Sequence, residues 1–185
     1  MEAANTNIEK QWYAIRVTYN REMKVKASLD DAGVESFIPM CYKDVVVRAR
    51  RVRKLVPSVH NLIFIKMSDS EMKQFKATTS LPIRYIMDPH TKKPIIVPER
   101  QMDNFISVSA TNDDGLIYLS PDQINISRGD RVRIIGGVFS GCEGTLMRIR
   151  GDRRLVVSIP GVMAVATAFI HPSLIMKIDE NDGNE

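Results

Sequence analysis

The sequence predicts an α+β chain in two parts: a split-βαβ sandwich over residues 11–110 and a small five-stranded β-barrel over residues 128–178. Three observations carry this. Extended and helical patterns alternate as strand, helix, strands, helix, strand, helix as far as residue 110. A turn-rich, acidic stretch over residues 111–127 then breaks the pattern and reads as a linker. Beyond it, short β-prone segments punctuated by Gly and Pro show no helical period, and a closed barrel protects such strands from unpaired edges.

The elements follow in order. Residues 1–10 are polar, lack an apolar signal region and read as a disordered N-terminus. "QWYAIRV", residues 11–17, is a strand by its aromatic and β-branched content. Asn20 is placed to cap a helix reaching Ala32, with Val25, Leu29 and Ala32 as its apolar stripe and Gly33 as the residue that ends it. "VESFIPMCY" and "DVVV" read as extended. "RARRVRK", residues 48–54, brings five basic residues in seven, and a strand pair is expected around "LVPS" and "NLIFIKM". Ser68 with Glu71 forms a capping-box pattern, opening a helix that buries Met72 and Phe75. "LPIRYIMD" and "KKPIIVP" return as strands, and Pro98 starts a helix with Met102, Phe105 and Ile106 on one face. The barrel strands are expected at 131–136, 143–150, 154–159, 162–170 and 174–178, before an acidic tail at 179–185.

Charge is unevenly spread. Residues 1–110 carry a formal +6, residues 111–127 −3, residues 128–178 +5 and the tail −4. Two basic blocks favour a nucleic-acid or ribonucleoprotein partner through phosphate electrostatics. No apolar run approaches the ~18 residues that span a bilayer, so no membrane partner is expected and the cytoplasm is the expected compartment. Cys41 and Cys142 lie far apart without a CxxC spacing, which predicts neither a disulfide framework nor a metal site.

"RIIGGVFSGCEGTL", residues 133–146, tests for an enzyme. Gly136 and Gly141 have phosphate-loop spacing, but Cys142 and Glu143 stand where Lys and Ser or Thr are required, and a strand follows where a helix is needed. Gly137, Gly141 and Gly144 also miss the dinucleotide fingerprint. The structural alternative is a tight loop between strands, with Val132 and Ile134 on one strand face and Arg131 and Arg133 on the other. His60, His90 and His171 lack nucleophile or carboxylate partners at motif spacing, and Asp113 and Asp114 are adjacent linker acids. No catalytic residue, cofactor or metal is expected.

"RGDRVRIIGGVFSGCEGTLMRI" resembles the KOW motif of NusG-type transcription factors and some ribosomal proteins, with Gly136, Gly137, Phe139, Gly141 and Gly144 in its loop. Upstream, "WYAIRV", the capped helix, "ESFIPMCY" and "NLIFIKM" resemble the NusG N-terminal domain, and the resemblance runs over about residues 11–178. It implies an SH3-like barrel and a non-enzymatic elongation and antitermination factor. The greater likeness is to operon-specific RfaH and UpxY-like paralogues, which promote readthrough of operons such as those for surface polysaccharides. One departure is Val59-His60-Asn61-Leu62, where the family commonly has Phe-Pro-Gly-Tyr.

By motif position, the resemblance implies a patch for the clamp helices of RNA polymerase among Trp12, Tyr13, Phe37, Pro39, Leu62, Phe64, Tyr85 and Ile86. Strand alternation allows about half of these to face a partner. Arg21 and Lys24, with Arg48, Arg50, Arg51, Arg53 and Lys54 of an extended hairpin, are the candidates for nucleic acid of the transcription bubble. The barrel would recruit a small-subunit ribosomal protein or a termination factor, and a monomer is expected. The competing reading is a ribosome-associated RNA-binding protein, which would have no need of residues 11–110.

Overall fold

The structure is a computed structural model that describes residues 9–123 and 129–178. The expectations for residues 1–8 and for the tail 179–185 lie outside the described residues. In chain order the elements begin with β1 (Gln11–Val17), α1 (Glu22–Asp31), β2 (Ser36–Phe37), β3 (Met40–Val47), β4 (Arg50–Pro57) and β5 (Leu62–Met67). They continue with α2 (Asp69–Thr78), β6 (Ile83–Tyr85), β7 (Ile96–Val97), α3 (Glu99–Ser109) and β8 (Ile117–Leu119). The last five strands are β9 (Asp130–Ile134), β10 (Glu143–Ile149), β11 (Asp152–Ile159), β12 (Met163–Phe169) and β13 (Ile175–Lys177). Two compact units result: Met1–Ile38 with His60–Glu99, and Pro39–Val59 with Arg100–Glu185.

The first unit is built on the sheet β2-β5-β1-β6. β1 and β2 both run antiparallel to β5, so they are parallel to each other with β5 between them. β5 and β6 likewise flank β1. These are two interlocked split-βαβ units, closed by α1 and α2, as the element order predicts. α1 and α2 lie on the sheet face that carries Tyr13 and Tyr85: Lys76 Nζ sits 3.9 Å over the Tyr85 ring, and Lys26 Nζ reaches Ser36 Oγ at 3.5 Å. Trp12 to Ile15 and Leu62 to Ile65 are buried without a break, so both strands need apolar residues on both faces. β6 and β7 share one edge of β1, pairing Ile15–Val17 and Trp12–Tyr13 respectively, and the chain between them folds back through the Met87–Pro94 bridge.

The helix ends follow local chemistry with one exception. At α2, Ser68 Oγ accepts from the Glu71 N–H and the Glu71 carboxylate accepts from the Ser68 N–H, completing the predicted capping box. Met72 is fully buried and Phe75 half-buried. At the end of α1, Gly33 N–H donates to Asp30 O and Val34 N–H to Leu29 O, the paired bonds that a left-handed residue permits. The exception is Asn20, which does not cap α1. Its φ is 51°, its N–H donates to Asn61 Oδ1 at 3.0 Å, and α1 starts after Arg21 with no side-chain cap. A partner 41 residues away thus takes Asn20 into the turn that leaves β1.

In the second unit, β3 and β4 form a hairpin whose two-residue turn, Arg48-Ala49, has positive φ at both positions. "LVPS" therefore belongs to this hairpin, while "NLIFIKM" pairs with β1 and β2. The five strands expected for the barrel lie consecutively in the antiparallel sheet β13-β9-β10-β11-β12-β8. β8 is an addition: Ile117–Leu119, within the stretch expected to be a linker, pairs with Ala164–Ala166 of β12. One sheet face is the barrel core, with Val132, Ile134, Leu155, Val157, Ile159 and Val165 all buried. The opposite face carries a second apolar cluster of Val156, Ala164 and Ala166, against which the β8 residues Ile117 and Leu119 pack. That cluster gives the β-prone Ile117 and Leu119 an apolar surface to pack on, which makes a strand within the expected linker.

Candidate functional site

Strand pairing sorts the expected polymerase patch. Register across β1, β5 and β2 puts Trp12, Phe37, Leu62 and Phe64 on one face of the first sheet. Tyr13 and Tyr85 lie on the opposite face, where α2 packs, with ring centroids 5.7 Å apart. Burial pushes both tyrosine hydroxyls above their ordinary pKa, and the charge of Asp69 adds to it. Trp12, Tyr13, Leu62 and Phe64 are at most 3 % exposed, and Pro39 is also buried. In this structure these five are core, not surface: the first four lie on the central strands β1 and β5, and Pro39 is buried between β2 and β3. Phe37, Tyr85 and Ile86 are half-buried, and Phe37 shares its face with Trp12 and Phe64. Lys66 spans that face's rim, its Nζ 5.7 Å from the Trp12 ring and 2.5 Å from Glu99. The hydrogen bond to Glu99 raises the Lys66 pKa.

The basic candidates divide in the same way. Arg21 and Lys24 are exposed at the start of α1, and the Arg21 guanidinium lies 5.6 Å from the ring centroid of Tyr19, itself 79 % exposed. Glu22 beside them is buried, with Oε1 3.9 Å from His60 Nδ1. In the hairpin, Arg51 and Arg53 share one ribbon face with Tyr42 and Val46, while Arg50 and Lys54 share the other with Lys43 and Val47. The run of five basic residues is therefore not one stripe. Arg53 is also engaged: its guanidinium bonds the Asp114 carboxylate and stacks 4.9 Å from the Tyr42 ring. Among the described residues no ion pair holds Arg48, Arg50, Arg51 or Lys54.

The loop from Ile134 to Cys142 is a turn, and its glycines serve the backbone. Gly141 has φ 85° and donates its N–H to Ile134 O at 2.7 Å, closing the loop, while Phe139 tucks inside. A Cβ on Gly144 would stand 2.5 Å from Val156 O, so β10 and β11 approach too closely there for a side chain. Ile135 and Val138, by contrast, are 55 % and 80 % exposed.

Sequence reasoning missed the most connected polar group of this unit. Glu143, next to the loop, is 7 % exposed in its side chain, and takes Arg100 at 2.6 Å and Arg133 at 2.5 Å, with Arg131 4.0 Å away. Its N–H donates to Asn104 Oδ1, and Gln101 Nε2 donates to Ser158 O. These bonds tie α3 to β10 and β11. Burial alone would raise the Glu143 pKa, but the hydrogen bonds from Arg133 and Arg100 hold it below the ordinary carboxylate range. The available signal was Glu143 standing opposite a strand of alternating Arg. Arg100 and Asn104 lay in a different motif. His90 and His171 sit in turns, as expected, with Asp88 Oδ1 accepting the His90 N–H and His171 Nδ1 facing Ser173.

Along the chain, a basic, loop-bearing β-unit follows a split-βαβ sandwich. The family model for the transcription termination factor NusG matches residues 10–106, just over half of the chain. The chain belongs to the NusG family, whose members are non-enzymatic, cytoplasmic transcription factors that bind RNA polymerase. No curated protein matches it. Among solved structures it is similar to NusG of Thermotoga maritima, in a structure described as showing domain interaction, at 21% identity and a TM-score of 0.44. That likeness covers 92% of this chain and 98% of the other. Among the described residues no helix is long and apolar enough to cross a membrane.

Proposed function

We propose that this chain is an operon-specific antiterminator of the RfaH and UpxY-like kind. Residues 11–110 bind the clamp helices of RNA polymerase, and residues 128–178 recruit a second protein. The observation that supports this most is Phe37, half-buried on the edge strand β2 and sharing a sheet face with the buried Trp12, Leu62 and Phe64, within the segment that carries the family match. An aromatic anchor backed by a packed apolar face suits an amphipathic helix pair. Holding the clamp closed disfavours paused conformers by differential binding, with no bond made or broken. Arg21 and Lys24 contact the displaced strand, and Arg48, Arg50, Arg51 and Lys54 contact nucleic acid of the bubble, with Arg53 available once it leaves Asp114.

Exposed Ile135, Val138 and Phe169 offer the barrel apolar anchors for a small-subunit ribosomal protein or a termination factor. The test is transcription by purified polymerase on candidate operon leaders. Shortened pauses and increased readthrough on one class of leader are expected. Unchanged pause lifetimes on all of them, with genome-wide occupancy in cells, would contradict operon-specific antitermination.

A further inference from the structure

The core-facing side of the second sheet changes character at one end. Asp130, Leu146, Arg148, Arg153, Ile175 and Lys177 share that side by register, and they line an open cleft of about 660 Å³. Arg148 and Arg153 are direct cross-strand partners on β10 and β11, and both are exposed. Like charges placed directly opposite destabilise a strand pair. Among the described residues no carboxylate pairs with either one. Among the described residues the single acid of the cleft, Asp130, is taken by Lys177 at 3.0 Å. The neighbouring Arg154 shows the contrast: it points to the other face and is occupied by Gly115 O, Thr167 O and Asp152.

We propose that this cleft at the open end of the barrel binds the phosphodiester backbone of single-stranded nucleic acid. An anion set between two guanidinium forks turns their mutual repulsion into paired, charge-assisted hydrogen bonds. The floor of Leu146 and Ile175 gives an unstacked base an apolar seat, and a guanidinium plane gives it a stacking partner. A duplex offers no unstacked base. The barrel thereby holds a nucleic-acid site apart from the apolar loop residues offered to a protein, and this site needs no polymerase.

The test uses the full chain and labelled 12-nucleotide RNA and DNA of the same sequence, followed by anisotropy through a salt series, with poly-glutamate as the competing polyanion. The comparison is among wild type, Arg148→Gln/Arg153→Gln and the hairpin variant Arg48→Gln/Arg50→Gln/Arg51→Gln. The cleft variant is expected to bind about tenfold more weakly, and its log–log salt slope to fall by about 1.4, the value for two single-strand phosphate contacts. Tighter binding of RNA or of DNA identifies which strand the cleft takes. Both residues are exposed and their mutual repulsion is relieved, so melting temperature is expected to stay at or slightly above the wild-type value. Wild-type affinity and slope in the cleft variant for both strands, or poly-glutamate competing as well as the oligonucleotides, would overturn the proposal.

Discussion

Two β-ribbons of this chain carry the same sequence ingredients and come out differently. β3–β4 and β10–β11 both turn on a pair of positive-φ residues that begins with arginine, Arg48-Ala49 and Arg150-Gly151. In the first ribbon the β4 cations alternate between faces, Lys54 falls opposite Lys43, and Arg53 is neutralised by Asp114. In the second, Arg148 and Arg153 fall opposite each other on one face, while Arg154 goes to the other and becomes structural. Register and parity, more than the number of basic residues, decide what a basic run can hold.

The strongest way to break this contrast is to remove the structural arginine. Arg154→Ala leaves the Gly115 and Thr167 carbonyls without their donor, and is expected to cost about 2–3 kcal/mol in urea unfolding. Arg153→Ala, one residue away, is expected to change stability by less than about 0.5 kcal/mol. Equal losses at the two positions would show that parity does not separate them.

Glu143→Gln comes next. It keeps the shape of the site but removes the charge that Arg100 and Arg133 grip, and an expected loss of about 2 kcal/mol should appear near neutral pH. The Glu143 pKa is depressed in the folded chain, so its contribution is present above the unfolded-state glutamate pKa and disappears as pH falls through the lower folded value. Stability measured from neutral to acidic pH should therefore converge for wild type and Glu143→Gln. Parallel curves would assign the effect to packing alone.

A smaller effect separates the two turns. Ala49 holds φ 64°, a left-handed conformation that glycine adopts without strain, so Ala49→Gly is expected to stabilise the first hairpin by up to about 1 kcal/mol. Gly151→Ala, at φ 91°, should destabilise the second ribbon by a similar amount. Thermal melts of the two variants check the signs.

What could be read from the sequence was what is local. The capping box at Ser68, the glycine after α1 and the glycine loop before Cys142 depend on residues a few positions apart, and each forms as its chemistry predicts. What could not be read depended on partners far along the chain. Asn61 withdraws Asn20 from the helix cap, Asp114 takes Arg53 across 61 residues, and the β12 cluster makes a strand of residues 117–119. The polymerase patch lies between these cases. Alternation alone limits how many of its members share a face, but only the pairing of β5 with β1 and β2 shows that Phe37 goes with Trp12 and Phe64 and not with Tyr85.

That assignment gives the most direct test of the polymerase-binding role. Phe37 is half-buried on a two-residue strand at the sheet edge, so Phe37→Ser is tolerable to the fold in a way that Phe64→Ser is not. The measurement is the affinity of the full chain for core RNA polymerase, wild type against Phe37→Ser, with melting temperature as the control. A loss of about tenfold or more at near-constant melting temperature is predicted, since an aromatic anchor at an interface is worth about 2 kcal/mol. Wild-type affinity in Phe37→Ser, or no binding of polymerase by the wild-type chain, would contradict the account.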